Sequence, residues 1–365
     1  MKTKTLFSKI TKASYLGVVS ILISLSLLNT GCRSNSNEPT ERQSYVQVNL
    51  VSDIAGFNAA RTDVNLGNPW GIAIGPTGSF WISANHTGST VIYDASGNPL
   101  LAPINIPLGA APNGSSPTGV IYNGTADFAI PIFGTSTFIY ATEDGILSAW
   151  NSNTGTTTVT VVDNSSTGAV YKGLTMANDG GANFIYVTDF HNAKIAVFDR
   201  NFAPITTKPF SDPTIPTGFA PFNIQNIDGL LYVTYAKQLA PDFHDDEAGL
   251  GNGFIDIYTP GGIFVKRFAS NGTLNSPWGV TKAPESFGQG DNIILVGNFG
   301  DGHINVFKNS GVYLGQLQLH EKIIAIPGLW DITFNSIAPS NPSHLYFTAG
   351  PNSEADGVFG YLRPE

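Results

Sequence analysis

The chain has 365 residues, enough for one large domain or two ordinary ones. Only 12% of residues are charged and 42% are hydrophobic, with 40 glycines and 23 prolines, which excludes a disordered chain and suits an all-β protein rich in tight turns. A net charge of −9 without a basic stripe excludes nucleic acid as a partner, and direct electrostatic binding to anionic lipid.

Lys2, Lys4, Lys9 and Lys12 form a basic start, followed by the apolar stretch Tyr15–Leu28. At ~14 residues that stretch is shorter than the ~20 of a membrane-spanning helix, so it reads as an export signal. Leu28-Asn29-Thr30-Gly31-Cys32 resembles a bacterial lipoprotein signal, with Asn29 standing where leucine is usual. The resemblance implies cleavage before Cys32 and acylation of that residue. Cys32 is the only cysteine, so no disulfide can form within the chain. The expected organisation is a signal peptide over 1–31, a flexible tether over 32–43 and a folded domain over 44–365. Removing the four lysines takes the net charge to −13. The expected location is the cell envelope, with the membrane reached only through the lipid.

The folded part carries an internal repeat. Its openings are Pro69-Trp70-Gly71-Ile72, Pro117-Thr118-Gly119-Val120, Tyr171-Lys172-Gly173-Leu174, Pro221-Phe222-Asn223-Ile224, Pro277-Trp278-Gly279-Val280 and Gly328-Leu329-Trp330-Asp331-Ile332. A spacing of roughly 50 residues is that of propeller blades. A second strand follows each opening, at Phe80–Ser83, Phe138–Thr142, Phe184–Thr188, Leu230–Tyr235, Asn292–Gly297 and His344–Thr348. Third strands follow at Thr90–Tyr93, Ile146–Trp150, Lys194–Phe198, Gly253–Tyr258, His303–Phe307 and Gly357–Leu362. Fourth strands are expected at Ala102–Ile106, Thr157–Val162, Phe264–Ala269 and Val312–Leu319. The last repeat stops after three, and Tyr45–Val51 supplies the missing strand. The fold predicted is an all-β six-bladed β-propeller, its last blade closed by the N-terminal strand. Glycine at the openings fits first strands crowded around a channel. Trp70, Trp278 and Trp330 read as wedges between blades rather than ligand-stacking groups.

Lys194-Ile195-Ala196-Val197-Phe198-Asp199 and Ile304-Asn305-Val306-Phe307 resemble the strands of NHL-type propellers. More closely, the chain resembles an uncharacterised family of secreted bacterial six-bladed propellers, some with PEP-CTERM sorting signals. The matching stretches are Asn68-Pro69-Trp70-Gly71, Tyr235-Ala236-Lys237-Gln238 with His244-Asp245-Asp246, Gly251-Asn252-Gly253-Phe254-Ile255-Asp256 and Gly297-Asn298-Phe299-Gly300-Asp301-Gly302. The chain ends at Glu365 without the apolar tail of the sorted members, and a lipid at Cys32 would replace that anchor. The resemblance implies no reaction.

In this topology the loops after second strands and before first strands share one face. They carry Asn85 and His86, Glu143 and Asp144, Asp189 and His191, His244 to Glu247, Asn298, Asp301 and His303, and Glu354 and Asp356. The candidate ligand-binding set is Asn85, His86, Glu143, Asp144, Lys172, Asp189, His191, Asn223, Lys237 and Asn298. The candidate metal set is His244, Asp245, Asp246, Asp301 and His303, whose donors suit Ca²⁺ or Zn²⁺. The plainer reading is that such residues populate exposed turns in any protein. The insertion Ala236–Gly251 is expected to cover the channel mouth.

No nucleophile elbow, phosphate loop or HExxH is present. The expected function is an envelope module, monomeric, binding a protein or a small-molecule or glycan ligand. The alternative is a metal-dependent propeller enzyme of lactonase, hydrolase or lyase type, by analogy of fold alone. A passive structural role is the third class.

Overall fold

The computed structural model describes residues 43–108 and 111–365. The expected signal peptide, Cys32 and all but the last residue of the tether lie outside the described residues.

Six antiparallel sheets follow one another along the chain, each running from an inner strand outward. Blade 1 is Pro69–Ile74, Phe80–Ala84, Ser89–Tyr93 and Ile104–Asn105. Blade 2 is Pro117–Tyr122, Phe138–Thr142, Ile146–Trp150 and Val159–Asp163. Blade 3 is Tyr171–Asp179, Ala182–Asp189, Lys194–Phe198 and Pro204–Ile205. Blade 4 is Phe219–Ile227, Leu230–Lys237, Gly253–Tyr258 and Phe264–Ser270. Blade 5 is Pro277–Ala283, Ile293–Asn298, Ile304–Lys308 and Tyr313–Gln316. Blade 6 has Leu329–Phe334, Leu345–Ala349 and Val358–Pro364, then Tyr45–Ser52 paired antiparallel to Val358–Pro364. The propeller and its N-terminal closure are thus as the repeat predicts.

Three details differ. Blade 3 has a fourth strand that the sequence hides, because Pro204–Ile205 is too short to show a pattern. The expected strand Val312–Leu319 is split: Gln318–Leu319 leaves blade 5 to form a hairpin with Lys322–Ile323. Arg61–Thr62 adds a fifth strand to blade 6, parallel to its neighbour.

The blades are apolar on both faces, which is why their strands read as near-continuous hydrophobic runs. Alternate side chains of one strand pack against opposite neighbours. Ile139 and Ala141 join Leu174, Ile185 and Val187 between blades 2 and 3. Phe138 and Tyr140 join Trp81 and Ile92 between blades 1 and 2. Equivalent clusters fill the remaining four junctions. Between blades 5 and 6, Tyr45 is fully buried, stacks on Phe287 at 4.5 Å and donates a hydrogen bond to its carbonyl at 2.8 Å.

A seventh cluster lies on the axis: Trp70, Trp278 and Trp330 with Phe190 and Phe222. The tryptophans therefore plug the channel, which differs from the expected wedge between neighbouring blades. Trp330 is sandwiched, with Trp70 stacked on it at 3.4 Å and Phe299 at 4.0 Å.

The third residue of each opening meets the next inner strand. A Cβ on Gly71 would lie 2.9 Å from the Gly119 Cα, and one on Gly279 2.8 Å from the Trp330 carbonyl oxygen, so these positions admit no side chain. Blades 4 and 6 carry Asn223 and Asp331 there instead, each used as a staple. Asn223 Nδ2 donates to the Trp278 carbonyl at 2.9 Å, while its Oδ1 accepts from the Ile224 amide at 2.8 Å. Asp331 Oδ2 accepts from the Ile72 amide at 2.8 Å and Oδ1 from the Ile332 amide at 2.8 Å. One junction needs a donor and the other an acceptor. Both N223D and D331N therefore leave a buried backbone group facing its own kind. Each is expected to destabilise by roughly 1–3 kcal/mol, measured by denaturant melts. Unchanged stability in either would remove the stapling role.

Candidate functional site

On the face where inner strands begin, a cavity of about 350 Å³ opens above the axial aromatic cluster. Its floor is Trp70, Trp330 and Phe299. Its walls are Asn85 and His86 from blade 1, Glu143 from blade 2, Lys172 from blade 3 and Ser353 with Glu354 from blade 6. The Ala236–Gly251 insertion supplies His244, Asp245 and Asp246 from blade 4. That segment folds as a small hairpin: Leu239 N donates to Asp245 O at 2.8 Å and Glu247 N to Lys237 O at 2.7 Å.

The centre of the wall is an ion pair. Lys172 is 2% exposed, and its Nζ donates to Glu143 Oε1. Asp245 Oδ1 is 3.6 Å from the same nitrogen, and the Trp70 ring centroid is 5.1 Å away. Glu143 Oε2 also accepts from Asn85 Nδ2 at 3.0 Å. His244 Nδ1 lies 2.9 Å from Asp245 Oδ1 and 3.9 Å from Glu143 Oε1. Burial pushes the Glu143 carboxyl up, but the Lys172 charge with the Lys172 and Asn85 hydrogen bonds outweighs it and holds Glu143 below its usual 4.5. Burial likewise pushes Lys172 down, and Glu143, then Asp245 and Asp246, more than restore it.

Two other carboxyls shift the opposite way. Burial raises Asp246, opposed by Ser276 and the Lys172 charge. Burial raises Glu354, opposed by Asn68 and reinforced by the Glu143 charge. Asn68 Nδ2 donates to Glu354 Oε2 at 2.8 Å, and Asn68 Oδ1 accepts from Trp330 Nε1 at 3.1 Å. The backbone here is strained: Asn352, Ser353 and Glu354 have φ of 55°, 56° and 67°. Consecutive left-handed residues cost roughly 1–2 kcal/mol each, a cost that aims Glu354 inward. The aspartate–histidine bond raises His244 above its usual 6.5, against burial and the Lys172 charge.

Of the candidate ligand-binding residues, Asn85, His86, Glu143 and Lys172 line the cavity, together with His244, Asp245 and Asp246 of the metal set. The rest lie outside its lining. Asn223 staples two inner strands. Asp144 accepts from Ser116 N at 2.9 Å, and Asp189 braces its turn by accepting from Asn192 Nδ2 at 2.9 Å. His191 donates to Asp242 O at 3.0 Å, and Lys237 pairs with Glu247 at 2.7 Å. Asn298 donates to Thr273 O at 2.8 Å and to Asp301 Oδ1 at 3.0 Å. His303 Nδ1 sits 3.5 Å from that same Asp301 oxygen, so these two close their own turn. The five expected metal ligands therefore do not converge. The cluster that does form is Glu143, His244 and Asp245, with donor atoms within 4.8 Å of one another. Sequence reasoning placed Glu354 on the right face but not in the site, and missed Asn68 and Phe299, because nothing local marks which loops bend inward.

Removing Lys172 leaves Glu143 buried without its partner, which costs roughly 3–5 kcal/mol. K172M is expected to fall by about that much, and E143Q/K172M to recover part of it. The pH dependence should also change sign. In the wild type, the Glu143 contribution is present above 4.5 and lost as pH falls through its lowered value. In K172M burial, the largest cause, is opposed only by the Asn85 hydrogen bond and the His244 charge, so the Glu143 effect on stability should improve on acidification. Urea melts between about pH 3 and 7 test both expectations.

No family model matches the chain. The chain is 36% identical over 331 residues to the uncharacterized protein R648 of Acanthamoeba polyphaga mimivirus, spanning 87% of this chain and 80% of that one. Over 334 residues it is 36% identical to protein L690 of the same virus, spanning 87% and 85%. Among solved structures, a Bacteroides thetaiotaomicron protein of unknown function matches with a TM-score of 0.57 at 10% identity, over 88% of this chain and 76% of that one. Virginiamycin B lyase from Staphylococcus aureus matches with a TM-score of 0.52 at 13% identity, over 88% and 99%. Likeness at such identity shows the fold alone. These relatives are viral proteins and do not carry the expectation of a secreted bacterial family. By sequence identity and coverage the chain belongs to the family of the uncharacterised mimivirus proteins R648 and L690, and its structure is a six-bladed β-propeller.

Proposed function

We propose that this protein is a ligand-binding propeller whose site is the acidic cavity at the channel mouth, and that its ligand is a small polar molecule. The observation that carries this reading is the convergence of polar side chains from blades 1, 2, 3, 4 and 6 around the buried Lys172–Glu143 pair. A buried ion pair is seldom a gain in stability over apolar packing, so its placement on a cavity wall favours a role in recognition. The aromatic floor gives a rigid base, but both faces of Trp330 are already covered, which leaves polar contacts to select the ligand.

The metal-dependent alternative would rest on Glu143, His244 and Asp245. Their arrangement fits an ion poorly, because the Lys172 ammonium already holds Glu143 and faces Asp245. Elemental analysis with and without chelation checks this: the reading expects no stoichiometric ion and no change in melting temperature. A thermal-shift screen of small polar molecules tests the cavity itself. Compounds that raise the melting temperature of the wild type should lose that effect in folded E143Q/K172M. Equal shifts in both proteins would move the site elsewhere.

Anchoring at an envelope through Cys32 is part of the proposal. It is supported by the basic start, the apolar stretch and the single cysteine. A labelled fatty acid should enter the wild type expressed in a bacterial host and not C32S. Labelling of both would sink the assignment to Cys32.

A further inference from the structure

We propose that the outer edge of blades 4 and 5, on the face opposite the cavity, docks against a lipid bilayer through Ile263, Phe264, Val265, Val312, Tyr313 and Leu314. The proposal rests on the reading of Cys32 as a lipid anchor, and adds which face of the ring meets the membrane.

The six residues form two matched sets. In each blade the third strand turns into the outermost one on the face where inner strands end. The turn is closed by Thr259 N donating to Ile263 O at 2.9 Å in blade 4, and by Lys308 N donating to Val312 O at 2.8 Å in blade 5. Residues 263–265 and 312–314 lead out of these turns, and all six are 39–58% exposed. Lys266 Nζ, on the blade 4 strand, donates to the Asn309 and Ser310 carbonyls of the blade 5 turn at 3.3 and 3.1 Å, so the two sets are held as one edge. Single exposed apolar residues are ordinary, whereas runs of three on neighbouring blades mark a contact surface.

Three observations point to a bilayer as the occupant. The first is where the chain enters. Tyr45 pairs with Pro364 at the end of the third strand of blade 6, on this same face. Gln43 and Leu314 line one small cavity of about 130 Å³. Gln43 stands eleven residues after Cys32, and that length spans at most about 40 Å. An acyl group at Cys32 therefore keeps this side of the ring within reach of a bilayer. Residues 33–42 hold no large apolar side chain, so the connection itself is no cover for the edge.

The second is charge. The chain carries 27 acids against 18 bases, yet residues 259–266 and 308–314 contain Lys266 and Lys308 and no acid. The corresponding turns of blades 1 and 3 open on Asp94 and Asp199. The whole-chain charge opposes attraction to anionic lipid, so the contact is apolar, and an acid-free edge avoids repulsion at the headgroups. The third is irregularity. The pairing of the outer strands shifts register between Ile257 and Tyr258 in blade 4 and between Val306 and Phe307 in blade 5. Such edges resist a further strand, whether from a second copy or an extended peptide, while a fluid bilayer requires no register. Docked this way, the ring turns its cavity away from the membrane.

The test uses the full chain on vesicles of phosphatidylcholine with a minor share of phosphatidylglycerol. V312C, and L250C on the opposite face, each supply one thiol for an environment-sensitive dye, because acylation blocks Cys32. Brominated acyl chains are expected to quench the dye at position 312 about twofold or more and to leave the dye at position 250 unchanged. Adding V265D/L314D should abolish the quenching at position 312 while the acylated chain stays on the vesicles. Melting curves of each variant confirm that the fold is retained. Equal quenching at both positions, or none at position 312 in the vesicle-bound chain, would overturn the docking edge. Quenching that V265D/L314D leaves unchanged would overturn it too. A chain that sediments as a dimer, and as a monomer after V265D/L314D, would overturn it in favour of a second copy. The anchor reading fails separately, if V312C takes up two dyes and so has a free Cys32. C32S/V312C then decides the edge alone: quenching on vesicles keeps it, and no quenching overturns it.

Discussion

The pairing of Tyr45–Ser52 with Val358–Pro364 is the constraint on which the rest depends. Each blade is apolar on both faces, so no blade can be an end. An open array would leave one face of blade 1 and one of blade 6 in water, including Phe80, Tyr93, Tyr346 and Phe359, all of which are buried here. Joining the first strand to the last sheet buries that junction and removes the edge strands that would invite aggregation. It also makes the ring a closed set of equivalent interfaces, held without any disulfide.

Closure forces the inner strands together, and their sequences follow from that. Glycine at Gly71 and Gly279 is the absence of a side chain where the neighbouring backbone arrives. Asn223 and Asp331 occupy equivalent positions because their amide and carboxylate complete hydrogen bonds across the junction. The residues just before them form the plug, in blades 1, 5 and 6 by tryptophan and in blade 4 by Phe222. In blade 3 the same position is Lys172. Blade 2 has Thr118 at this position, so four of the six places are aromatic, one is a hydroxyl and one a cation, and the cavity forms around the cation.

That substitution links architecture to chemistry. A lysine beside the axial plug is buried by the same packing that buries the tryptophans, so it requires a carboxylate, and Glu143 from the adjoining blade supplies it. The insertion in blade 4 then brings Asp245 and Asp246 to the same place, and a strained turn in blade 6 brings Glu354. These three loops of unrelated sequence converge on Lys172 because the ring fixes where each begins and ends.

The periodic part of the molecule was legible in the sequence. The six openings, most strand positions and the N-terminal closure could be read because burial on both faces leaves its mark on every strand, and because a missing fourth strand has to be supplied from somewhere. The crowding at Gly71 and Gly279 was readable for the same reason. The site was legible only by face. Topology placed the polar loops on one end, yet Asn298, Asp301 and His303 close a local turn while Glu143 and His244 reach the axis, and both groups consist of the same residue types. The direction in which a loop folds is set by its backbone hydrogen bonds and by what occupies the centre, and those belong to no repeat. Sequence by itself determined the ring, since each strand carries its own pattern. Only the tertiary structure decided the cavity, since its walls come from five blades and their charges meet through space.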